Sequence, residues 1–122
     1  MKMADHISKA QRIEDTMLRK LDRDADYEIY VEACMLAGTH LLNAVLHRYA
    51  VTTENSDLLH SDKPALKDPV RGELRPLFEA MKFIEDLRPG YLRGTTVWNP
   101  EHGKLCAQRY EEVRRFAQQV LR

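Results

Sequence analysis

Cysteine, net charge and the signatures of common catalytic chemistry are all scarce in this 122-residue chain. Its two cysteines, Cys34 and Cys106, form no CxxC pair and no dense framework. That excludes a disulfide scaffold or a zinc ribbon and leads us to expect reduced thiols in a cytoplasmic protein. Lysine plus arginine equals aspartate plus glutamate at 19 each, so no global field draws the chain to nucleic acid or an anionic membrane. Residues 1–10 lack the apolar run of a secretory signal. The chain has no GxSxG elbow, no glycine-rich phosphate loop and no HExxH, HxxxH or ExxH pair. Internal repeats, low-complexity tracts and period-two strand patterns are missing as well.

What is present is helical periodicity in a chain of one-domain length, 14.2 kDa. Ile7, Ala10, Ile13, Met17 and Leu21 recur at three- and four-residue steps and predict a first amphipathic helix with these residues inward. Asp22, Asp24 and Asp26 offer caps for the next, with a break near Arg23. The second helix is expected from about Asp24 to Tyr49, with Tyr27, Val31, Cys34, Gly38, Leu41, Leu42, Val45 and Tyr49 on one stripe. Within it, Ala33 to Leu46 carries no Asp, Glu, Lys or Arg although the chain is 31% charged, which marks a rod buried on more than one side. The same run, with His40 and Asn43 in it, reads as too short to span a membrane.

Val51 to Glu73 is rich in turn residues and reads as a long connection. A third helix is expected from Arg71 or Gly72 to Leu87, burying Leu74, Leu77, Phe78, Met81 and Ile84, with Pro76 tolerated in its first turn. Pro89 and Gly90 end it; after a loop over Tyr91 to Asn99, a fourth helix starts at Pro100 with Asn99 as its cap. The fold class is therefore all-α, an up-and-down four-helix bundle with a long loop between helices 2 and 3.

Ala33, Leu36, Ala37, His40, Ala44 and His47 share the sector of the second helix opposite its apolar stripe. This face either packs on the first or last helix or, as an interface candidate, meets a second copy across a two-fold axis. Metal ligation is the remaining option, but His40 and His47 stand two turns apart, about 10.5 Å along a straight helix, too far to share one ion directly. Asp57 and His60 would bind a metal only with further ligands. Cys34 reads as a structural thiol. The ligand-binding candidates are Arg88, Tyr91, Arg93 and Trp98 around the Pro89–Gly90 turn, with His60 and Lys63 in the long connection. Guanidinium and aromatic faces suit a phosphate or a stacked base. The alternative is that Arg88 pairs with Glu85 or the helix end while Tyr91 and Trp98 plug the bundle.

The small-residue, His-containing second helix, the polar loop, the third helix running into Leu-Arg-Pro-Gly-Tyr-Leu-Arg-Gly and the Arg-Arg-Phe-Ala-Gln-Gln-Val-Leu end together resemble the HEPN family of small α-helical domains, over roughly Met17 to Leu121. The resemblance implies a bundle, commonly a homodimer, tied to nucleotide or RNA transactions and to a nucleotidyltransferase-type partner. The family's ribonucleases carry Arg, four to six residues, then His. No histidine here has an arginine at that spacing, and the slot five on from Arg88 is Arg93. Binding without cleavage is what the resemblance leaves.

Two functional expectations follow. The first is a non-catalytic, homodimeric interaction module of the cytoplasm, with no cofactor, metal or membrane. The second is a metal-dependent or other enzyme whose ligands, His40, His47, Asp57 and His60, converge from separate helices.

Overall fold

The computed structural model describes residues 1–58 and 72–121. It is an all-α bundle of four helices: α1 (Met3–Ile13), α2 (Tyr27–Arg48), α3 (Arg75–Asp86) and α4 (Pro100–Val120). A π-type turn, Glu14–Leu18, prolongs α1; a 3-10 turn, Gly72–Leu74, leads into α3; a second π-type turn, Pro89–Arg93, follows it. No strand occurs among the described residues.

The local chemistry accounts for most of the boundaries. Asn99 caps α4 by accepting the Glu101 N–H at 3.0 Å, with Pro100 behind it. Pro76 sits within the first turn of α3, where its missing N–H removes no helical bond. The aspartate cluster acts differently from the sequence expectation. Asp22 accepts the N–H groups of Asp24 and Ala25, and Asp26 accepts that of Asp22, so the carboxylates close a tight turn and α2 starts only at Tyr27. Those backbone bonds, from Ala25 and then Asp24, hold the Asp22 carboxyl below its ordinary value.

The α2 helix packs on all three others, while α4 also packs on α3. Val31, Ala33, Cys34, Met35, Ala37, Leu42, Val45 and Leu46 are accordingly all buried, around most of its circumference. Gly38 lets α3 approach: a Cβ there would stand 2.5 Å from the sulfur of Met81. By length and composition α2 is apolar enough to cross a membrane, contrary to the expectation from its uncharged run, yet 67% of its most apolar stretch is buried inside the bundle, the place of a core helix.

One register expectation is overturned. Ile7 is exposed, and the inward position of the first turn of α1 belongs to His6, which is 2% exposed. His6, Ala10 and Ile13 form the buried or half-buried stripe: Ala10 and Ile13 face inward as expected, and Ile7 alone, about 100° round the helix from His6, falls outside it. Facing inward, His6 meets hydrogen-bond partners in His40 and Asp57, while Ile7 lines a surface cleft between α1 and α4.

Candidate metal centre

The polar sector of α2 is covered by the chain itself. Ala33, Ala37 and Ala44 have no exposed surface, so they are not available to a second copy, and of the six interface candidates only Leu36 is exposed. His40 and His47 turn toward α1 and the loop after α2. His6 Nδ1 lies 2.9 Å from His40 Nδ1, and the ring centroids of His6 and His47 are 5.3 Å apart. The two-turn separation of His40 and His47 is real, but His6 enters between them from another helix. Sequence reasoning missed His6; the available signal was that His6, Ala10 and Ile13 repeat at i, i+4, i+7.

Asp57 completes the cluster. Its Oδ1 accepts from His6 Nε2 at 2.9 Å and from His47 Nε2 at 2.7 Å, while Oδ2 takes the amino group of Met1 at 2.8 Å. That amino group also donates to the Glu54 carbonyl. Partial burial by itself would raise the Asp57 carboxyl; the hydrogen bonds from Met1, His6 and His47 outweigh it and hold the group well below the usual carboxylate range. Asp57 is therefore an anion and only accepts, so both Nε2 atoms carry hydrogen. On the far side of His47, Nδ1 meets the Thr52 hydroxyl at 2.8 Å. Burial, followed by the neighbouring His6 and Lys9, lowers His40 against the opposing pull of Asp57 and so favours its neutral imidazole.

Two devices bring Asp57 to the helices. The end of α2 is closed by Ala50 N–H to His47 carbonyl and Val51 N–H to Leu46 carbonyl, a Schellman motif that reverses the chain. Ala50 occupies its left-handed position with φ 57°, where glycine is usual. Asn43, 2% exposed, then grips the returning strand of chain. Its Oδ1 accepts the Leu58 N–H at 2.8 Å and its Nδ2 donates to the Leu58 carbonyl at 2.9 Å. These two bonds place the neighbouring Asp57 against His47.

One ligand atom from each of His6, His47 and Asp57 lies within 4.8 Å of the others. Metal–nitrogen and metal–carboxylate bonds of about 2.0–2.2 Å put neighbouring ligand atoms about 3–3.5 Å apart, so the observed 2.9 and 2.7 Å would widen by about 0.1 to 0.8 Å on binding. Two imidazoles and a carboxylate suit zinc, iron, cobalt or nickel. A surface depression of about 490 Å³, lined by Met3, His47, Arg48, Ala50, Thr52, Thr53 and Glu54, reaches the cluster at His47.

The other sequence candidates are engaged elsewhere. Arg88 forks onto Glu32, at 3.0 and 3.3 Å, with Glu85 at 3.6 Å, and ties the end of α3 to α2. Tyr91 is buried and its hydroxyl meets His102 Nδ1 at 2.6 Å. Trp98 stacks on Tyr27 with centroids 4.5 Å apart and donates to Asp24 at 3.0 Å. Gly103 makes room for it, since a Cβ there would meet the indole at 2.8 Å. These three side chains build the bundle end and do not form an open phosphate or base platform; Arg93 is exposed. His60 and Lys63 lie outside the described residues. Cys34 and Cys106 are both buried, and burial together with Cys106 pushes the Cys34 thiol well up, which suits an inert thiol.

No protein-family model matches this chain, and neither does a curated protein or a solved structure.

Proposed function

We propose that this protein is a metal-dependent helical bundle that holds one divalent transition-metal ion on His6 Nε2, His47 Nε2 and the Asp57 carboxylate. The observation that carries the reading is the convergence of two imidazoles from different helices on a single oxygen of Asp57. It departs from the sequence expectation of no metal and modifies the ligand set His40, His47, Asp57 and His60: His6 enters and His40 becomes a neighbour of a ligand.

Three protein ligands leave at least one position for water or an added donor, the pattern of reactive zinc and iron sites as opposed to closed structural ones. An ion held there would act as a Lewis acid toward a carbonyl or phosphoryl oxygen or a water. The chain's own contribution is placement. Both imidazoles have a hydrogen-bond partner at Nδ1, His40 for His6 and Thr52 for His47, as metal-bound histidines ordinarily do.

The test is direct. Untagged protein, stripped by chelator, is titrated calorimetrically with Zn(II), Co(II), Ni(II) and Mn(II), and with Fe(II) under anaerobic conditions. One equivalent of at least one ion is expected to bind, with Asp57→Asn and His47→Ala each weakening it by about 100-fold or more. Failure of every ion up to millimolar concentration would leave His6, His47 and Asp57 as a structural clasp and end the proposal.

A further inference from the structure

We infer that His40 is a positioning residue for the metal: when an ion replaces the hydrogen on His6 Nε2 and that hydrogen moves to Nδ1, His40 accepts it there and holds the His6 ring in the orientation that turns Nε2 toward Asp57 and the ion. This rests on the metal reading above.

The argument is a proton inventory. A neutral imidazole has one N–H, and when Nε2 binds a metal that hydrogen must sit on Nδ1. His6 is 2% exposed, so its Nδ1–H needs a partner within the protein. The partner at hand is His40 Nδ1, 2.9 Å away on the side of the His6 ring remote from Asp57. Accepting there places the single hydrogen of His40 on its own Nε2, with no change in the total number of protons it carries. The two α2 histidines thus divide the work: His47 contacts the ion, and His40, two turns earlier, holds the other imidazole in place. The two rings are neighbours, with centroids 5.2 Å apart and planes tilted by 45°.

Asparagine separates this role from mere packing, because its Oδ1 stands close to where a histidine Nδ1 would and still accepts a hydrogen bond. The experiment titrates chelator-stripped wild type, His40→Asn and His40→Leu with Co(II), reading the visible ligand-field bands. ¹⁵N spectra report the His6 ring tautomer, and thermal unfolding without metal serves as the folding control. His40→Leu is expected to bind Co(II) roughly 10- to 100-fold more weakly, and His40→Asn to stay within about threefold of wild type. In the loaded wild type the His6 signal should be that of the Nδ1–H form. Equal affinity in wild type and His40→Leu overturns the inference while leaving the metal site standing. So does equal loss in both variants when their metal-free unfolding matches wild type. A wild type that takes up no ion overturns the site and this role together.

Discussion

Asn43 and Leu58 exchange two hydrogen bonds, the amide of one against the backbone N–H and carbonyl of the other, across fifteen positions of chain. That reciprocal grip substitutes for a strand pairing in a protein whose described residues form none, and it sets Asp57 beside His47.

Because Asn43 is buried, truncating it leaves the Leu58 N–H and carbonyl without their partner. Asn43→Ala should lower unfolding free energy by about 1–3 kcal/mol in urea titrations. It should weaken metal binding as well, since Asp57 loses its anchor. A change below about 0.5 kcal/mol would show that the grip is not a stabilising element.

Ala50 holds a left-handed conformation at the end of α2. That conformation costs an L-residue about 1–2 kcal/mol, whereas glycine gives back about 0.5–1 kcal/mol in chain entropy. Ala50→Gly should therefore raise the melting temperature by about 2–4 °C. A lower melting temperature would mean that the methyl group makes contacts worth more than the strain.

Arg88 binds Glu32 through a fork, partly shielded from water. Arg88→Ala should cost about 1–2 kcal/mol in chemical denaturation, and exposed Arg93→Ala less than about 0.5 kcal/mol. Equal effects of the two substitutions would count against the tie between α3 and α2.

The phenols of Tyr30 and Tyr110 are raised well above the ordinary tyrosine value, chiefly by burial, with the Glu14 carboxylate as acceptor adding to the shift at Tyr110. A group raised in the folded state keeps its proton where the unfolded chain, at about pH 10, releases it. Stability contributed by these phenols is whole below about pH 10 and falls as pH rises beyond it. Phenolate absorbance, read by difference against Tyr30→Phe and Tyr110→Phe, should therefore show these two phenols ionising only as the helical circular dichroism is lost. Ionisation of Tyr30 and Tyr110 near pH 10 with the helices intact would refute this.

Much of the fold is written in residues close together in the chain. Leu74, Leu77, Met81 and Ile84 recur at helical spacing and are buried as that spacing requires. Asn99 and Pro100 announce the start of α4 through bonds that span two or three residues. The absence of charge between Ala33 and Leu46 marks the helix that the other three surround. The site was legible only in part. His40, His47 and Asp57 could be named as ligand candidates, but nothing local joined them.

The amino-acid order alone determined four helices, the Asn99 cap of α4 and which helix is central, because these depend on periodicity and on hydrogen bonds to near neighbours. Tertiary structure decided that His6, not Ile7, faces inward, that Arg88 and Trp98 serve the bundle end, and that Asp57 stands between two imidazoles. Those outcomes rest on contacts across 10 to 74 positions. Their energies come from desolvation and charge pairing, which exist only after the helices have packed.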